Sequence, residues 1–170
     1  MNEGLHGESR RDKVLRESVR QFLEEIPEAC ADARIYAETL NFCECHLVSQ
    51  AIRKHYCEAE SFEIDTSLGS SVVSPATIDA KFIHELISTI DGSSVSLSSL
   101  DQSFVLKTFG DELFAVLAGE KELLHTAIPF PDDVWECYLD QNMQKYDQDY
   151  VIVKSEYLKW VSRRDGRTSL

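Results

Sequence analysis

The run LFAVLA, residues 113–118, constrains this chain more than any other stretch. Six consecutive apolar residues leave no polar side to turn toward water. Read as a strand, the run is apolar on both faces and belongs at the centre of a sheet. FVLKTF precedes it across Gly110-Asp111, which suits a two-residue hairpin, and ELLHTAI follows across Gly119, which suits a three-residue turn. A single helix also fits Leu113, Val116, Leu117 and Leu124, but glycines at 110 and 119 would each cost it about 1 kcal/mol. An antiparallel meander over about residues 102–128 is therefore expected.

The flanks read differently. Leu15, Val19, Phe22, Leu23 and Ile26 recur at helical spacing until Pro27 stops them. A second helical run starts near Glu28 and extends toward Tyr56, with a seam of Tyr36, Leu40, Cys43, Leu47 and Ala51. EAESFEIDTSLGSSVVS reads as a loop with a short strand. Pro75 opens a third helix that points Ile78, Phe82, Ile83, Leu86, Ile87 and Ile90 inward and ends at Asp91-Gly92; SSVSLSS reads as a connection. After the meander, Pro131-Asp132-Asp133 is a helix start with acids at the positive end of the dipole. YVIV reads as a further strand and SEYLKWVSRR as a closing helix.

The expected class is α+β: N-terminal helices, the meander, then helix-strand-helix. Residues 9–164 are expected to form one domain, helical over 9–91 and holding the meander and C-terminal helices over 95–164, between flexible tails at 1–8 and 165–170. With 170 residues, 43% of them hydrophobic, the chain is long and apolar enough for a core without staples. No stretch of 18 apolar residues suggests a membrane span, and MNEGLHGESRRDK has no apolar signal region, so a cytoplasmic protein is expected.

NFCECHLVSQAIRKHYC, residues 41–57, carries three cysteines and two histidines, all zinc ligands by type. On one helix, His55 and Cys57 fall roughly 13–17 Å beyond His46, whereas a zinc ion needs its ligands within about 2.0–2.3 Å of one point. Cys43 on the apolar seam then behaves as a small hydrophobe. Five cysteines without a secretory signal read as free thiols. No nucleophile is tied to a base by a local signature, and no phosphate-binding or metalloprotease motif occurs. No cofactor, metal or catalytic residue is expected.

KYDQDYVIVKSE, residues 145–156, resembles an EF-hand calcium loop. Asp147 and Asp149 take the third and fifth positions, Ile152 the eighth and Glu156 the twelfth, while Lys145 replaces the first-position acid and Tyr150 the glycine. The resemblance implies a degenerate calcium-responsive module, as an alternative to the main reading.

That main reading starts from charge. The chain has a net charge of −13, and residues 61–150 alone carry 16 acidic and 4 basic side chains. Such a field repels nucleic acid and anionic membranes and attracts basic surfaces. In size, acidity and helix–meander–helix order the chain is similar to toxin-immunity proteins and small secretion chaperones. The expectation is a non-enzymatic, acidic protein-binding protein (an inhibitor, immunity protein, chaperone or adaptor) with a basic protein partner and no nucleic acid or membrane. A homodimer is a further expectation, and an enzyme of unknown chemistry a third reading. The helix from Pro131 is the expected contact surface. Its apolar face of Val134, Trp135, Tyr138, Leu139, Met143 and Tyr146 exceeds one buried stripe. Trp135 or Tyr146 is therefore expected at the surface as an anchor, ringed by Asp132, Asp133, Glu136, Asp140, Asp147 and Asp149.

Overall fold

The computed structural model describes residues 9–37, 40–88, 94–110, 114–142 and 147–164. Both expected tails lie outside them, as do Ile90, Asp111, Leu113, Met143 and Tyr146. In chain order the elements are α1 (Arg10–Glu24), β1 (Asp32–Ala37), α2 (Phe42–His55), β2 (Phe62–Thr66), β3 (Gly69–Val73), a 3₁₀ turn (Pro75–Thr77), α3 (Ala80–Ser88), β4 (Ser96–Ser99), β5 (Val105–Thr108), β6 (Phe114–Gly119), α4 (Lys121–Ala127), α5 (Asp132–Asn142) and α6 (Asp147–Arg164). The class is α+β. Residues 26–143 form one compact unit, and residues 1–25 with 144–170 form another.

The larger unit is built on one six-stranded sheet in the order β1-β6-β5-β4-β2-β3, antiparallel throughout. All six residues of β6 are buried, and the strand lies between β1 and β5. β4, β5 and β6 are the meander. Phe109 N–H donates to the Phe114 carbonyl at 2.9 Å where β5 passes to β6, and the two rings stack. The meander has no free edge, because β6 pairs with β1 and β4 with β2. α2 packs against α3 and α4, and α4 touches β1 and β6.

Five expected elements are corrected. The helix read from Glu28 to Tyr56 is β1 followed by α2. Ala33 and Ile35 are buried alternately in DARIYA, at strand period, and Asn41 restarts the chain as a helix. This resets the helix phase: Cys45, Val48, Ser49, Ala51 and Ile52 face the core, while Cys43 is exposed. ELLHTA, read as the third strand, is α4, whose Leu123, Leu124 and Ala127 are buried at helical spacing. The meander's third strand is instead β4, from the Ser-rich run, where Leu97 and Ser99 alternate inward. YVIV belongs to α6, because Ile152, Val153, Glu156 and Trp160 fall on one buried helical stripe. The segment read as a loop with one strand is the hairpin β2–β3. Gly69 closes its turn at φ 128°, a conformation that residues with a Cβ rarely adopt.

α6 also removes the calcium loop. Asp147, Asp149, Ile152 and Glu156 are spread over the first three turns of one helix, and Asp149 and Glu156 are ion-paired to α1. In this second unit the pairings run Arg11–Asp149, Arg16–Glu156, Arg20–Glu156 and Glu24–Arg163, so α1 and α6 run in the same direction. Glu156 is buried amid the apolar stripe of α6. Burial alone would raise its carboxyl. Hydrogen bonds from Lys159, Arg16 and Arg20 and the Lys159 charge outweigh it and hold the group at about 2.

Two outcomes follow for stability. The folded carboxyl of Glu156 lies below its ordinary value of 4.5, so its contribution is complete above that pH and is lost as pH falls toward about 2. Glu156→Gln is expected to cost roughly 1.5–3 kcal/mol at neutral pH and to flatten the loss between those limits, as urea unfolding across a pH series will read. In α3 the buried residues are Ala80, Ile83 and Ile87; Phe82 and Leu86 are only half-buried. Ile83→Ala is thus expected to lose roughly 2–5 kcal/mol in denaturant unfolding, and Phe82→Ala less.

Candidate functional site

β1 is an edge strand, and α5 covers part of that edge. The indole N–H of Trp135 donates to the Ile35 carbonyl at 3.0 Å. Arg34 ties the strand to the same helix, donating to Asp132 at 2.9 Å and to Asp32 at 2.9 Å. Trp135 stands edge-on to Tyr36 at 5.3 Å and stacks on Tyr138 at 4.8 Å. The far edge is β3, where Leu68 in the turn and Val72 on the strand are exposed.

A cavity of about 330 Å³ lies beside this aromatic group. Its walls include Tyr36 of β1, Glu44 and Leu47 of α2, Ile128 after α4, and Trp135 and Tyr138 of α5. Phe130 and Val134 also line it and are 49% and 48% exposed, so it reaches the surface beside the first turn of α5.

Two polar groups stand out against the apolar walls. Glu44 closes the capping box of α2: Asn41 Oδ1 accepts from Glu44 N at 3.0 Å, and Asn41 N donates back to the carboxylate at 2.7 Å. The Tyr138 hydroxyl donates to its other oxygen at 3.0 Å. Burial raises the Glu44 carboxyl, and these two hydrogen bonds only partly offset it. The Tyr36 hydroxyl is buried and has no hydrogen-bond partner among the described residues. Burial first, and the Glu44 carboxylate second, push it well above the ordinary phenol range. Beside them the Cys45 thiol is pushed up to about 12 by burial and by Glu44, which opposes a thiolate at that position.

The residues expected at a contact surface separate. Asp132, Asp133, Glu136 and Asp140 share α5 and are exposed, Asp132 while bonded to Arg34. Trp135 is buried at 6% exposure and is not a surface anchor; Val134 is the apolar residue of α5 left at the surface. Asp149 belongs to the other unit and pairs with Arg11, and Asp147 opens α6 there. Tyr146 lies outside the described residues. In the cysteine-rich stretch, His55 bonds Thr126 Oγ1 and His46 bonds Gln50. Among the described residues no three His, Cys, Asp or Glu side chains gather as a metal site, and all five cysteines are free thiols. Nor is any helix among those residues long and apolar enough to cross a membrane.

Sequence reasoning missed Glu44 and Tyr36. Asn41-Phe-Cys-Glu44 is a capping-box pattern that starts a helix and locates Glu44 at its third position. Tyr36 carried no such signal. Compared with known proteins, the chain matches no family model, no curated protein and no solved structure.

Trp135→Phe keeps an aromatic ring but leaves the buried Ile35 carbonyl without its donor. It is expected to destabilise the chain by roughly 1–3 kcal/mol in denaturant unfolding.

Proposed function

We propose that the protein is a non-enzymatic binding protein whose partner is a basic protein, in the manner of an immunity protein, inhibitor, adaptor or secretion chaperone. The supporting observation is the apolar cavity that opens next to the acidic first turns of α5. Half-exposed Phe130 and Val134 offer apolar contact, while Asp133 and Glu136 offer charge of one sign on the same helix and its approach. An apolar centre with a charged rim is the usual division of labour at an interface, affinity from the centre and encounter rate from the rim. The net charge of −13 sets the protein against nucleic acid and anionic membranes as partners. A cytoplasmic setting goes with this reading, since a reducing compartment suits five free thiols.

The test uses a partner first isolated from the host on the immobilised chain at low ionic strength, then purified. Association is expected to slow as salt rises. The double variant Asp133→Lys, Glu136→Lys is expected to bind about tenfold more slowly with its fold intact, and Val134→Lys to raise the dissociation rate. Unchanged kinetics in all three measurements would move the interface off this face.

A further inference from the structure

The cavity's walls are largely apolar, and besides the Asn41 amide their polar groups are a phenol hydroxyl and a carboxylate, both able to accept a hydrogen bond. The buried Tyr36 hydroxyl has no partner among the described residues. Glu44 uses one acceptor position on each oxygen, for Asn41 N and for the Tyr138 hydroxyl. A carboxylate offers about four such positions, so roughly half stay open. Among the described residues no lysine, arginine or histidine pairs with Glu44. A phenol oxygen and a half-used carboxylate together call for an N–H donor that carries positive charge.

We propose that the cavity seats a lysine or arginine side chain of the basic partner. The cationic head meets Glu44 and the Tyr36 hydroxyl, and the aliphatic stem lies on Leu47, Ile128 and Val134. This rests on the reading of the protein as a binder of a basic partner, and it names the group that enters. An anionic side chain is opposed by Glu44. A neutral apolar one leaves Tyr36 unpaired and strips the last water from a carboxylate. A cation on an apolar stem matches both the walls and the acceptors. The volume, about 330 Å³, lies at the small end of ligand cavities, roughly 300–1,000 Å³, which suits one side chain rather than a folded element.

The experiment is calorimetric titration with n-hexylammonium chloride, hexan-1-ol and sodium hexanoate as probes. Wild type is compared with Glu44→Gln, Tyr36→Phe and, as a control on the exposed face of β2, Glu63→Gln. Hexylammonium is expected to bind about tenfold tighter than the alcohol, with hexanoate weakest. Glu44→Gln, which keeps a capping-box side chain, is expected to abolish that preference, and Glu63→Gln to retain it. Tyr36→Phe deletes an unpaired buried hydroxyl. It is expected to melt no lower than wild type while binding hexylammonium several-fold more weakly. A merely structural tyrosine would not separate those two readouts.

Equal binding of alcohol and ammonium by wild type overturns the proposal, as does a preference that survives Glu44→Gln. The purified partner separates this inference from the wider reading. A partner that binds wild type and Glu44→Gln alike, with the expected salt dependence, leaves the binding function standing and removes the cation site. Ammonium binding as expected, with no basic protein that associates, removes the partner as the source of the cation.

Discussion

A strand buried along its whole length on both faces is the constraint from which the larger unit follows. β6 spends six consecutive residues in the core, so it can be neither an edge nor the floor of a wet surface. Pairing on both sides is obligatory, and β5 supplies it from just upstream in sequence while β1 supplies it from some eighty residues earlier. The site inherits its position from that pairing. β1 brings Tyr36 to the edge next to β6, and α2 begins a few residues later with Glu44 in its first turn. α4 leaves β6 after a single residue and delivers Ile128 to the same place. Pro129 and Pro131 cannot continue a helix, and they turn the chain into α5, whose Trp135 then reaches the edge of β1. The cavity is thus walled by the elements that adjoin the two most constrained strands.

Covering an edge with an indole has a physical logic. A free edge presents unpaired carbonyls and amides that invite another strand. One N–H from a large ring satisfies a carbonyl and shields its neighbours with apolar surface, and Arg34 binds the helix to the strand a residue away. The same arrangement explains why Trp135 is unavailable as an anchor: its polar atom and its ring faces are already engaged. β3, at the other edge, relies on brevity, a hairpin turn and a serine-rich run.

What the sequence made legible was what one local pattern could decide. LFAVLA announced a central strand, Pro27 ended α1, and Pro131 with two acids started α5, whose Asp132, Asp133, Glu136 and Asp140 are exposed. The errors arose where two periods fit equally. YVIV and ELLHTA are each short enough to satisfy strand and helix patterns, and the neighbouring stripe decides: Glu156 and Trp160 for one, the packing of Leu123 and Leu124 for the other. DARIYA was absorbed into a helix because the reading ran through it without a stop, and the phase error then exchanged Cys43 for Cys45 as the buried thiol. Tyr36 was illegible for a different reason. Its importance lies in a hydroxyl that lacks a partner, a property of tertiary contacts that no spacing encodes.

The two half-hidden glutamates sharpen that point. Glu156 and Glu44 are the same residue type, the first buried and the second half-buried, and the chain treats them oppositely. Around Glu156 it gathers Arg16, Arg20 and Lys159, and the carboxyl drops to about 2 despite burial. Around Glu44 it supplies a backbone amide and a tyrosine hydroxyl, and the carboxyl stays raised. A buried carboxylate without a cation costs stability unless something offsets it. At Glu44 half the offset is the capping box, in which a side-chain oxygen accepts from the Asn41 amide at the start of α2. No cation supplies the other half, and the buried Tyr36 hydroxyl, donor and acceptor both, has no partner among the described residues, at a cost of roughly 1–3 kcal/mol. Two uncompensated groups on one wall of an open cavity are poorly explained as packing, since Phe at 36 and Gln at 44 would preserve the shape and remove both penalties. They are explained if the compensation comes from outside the chain.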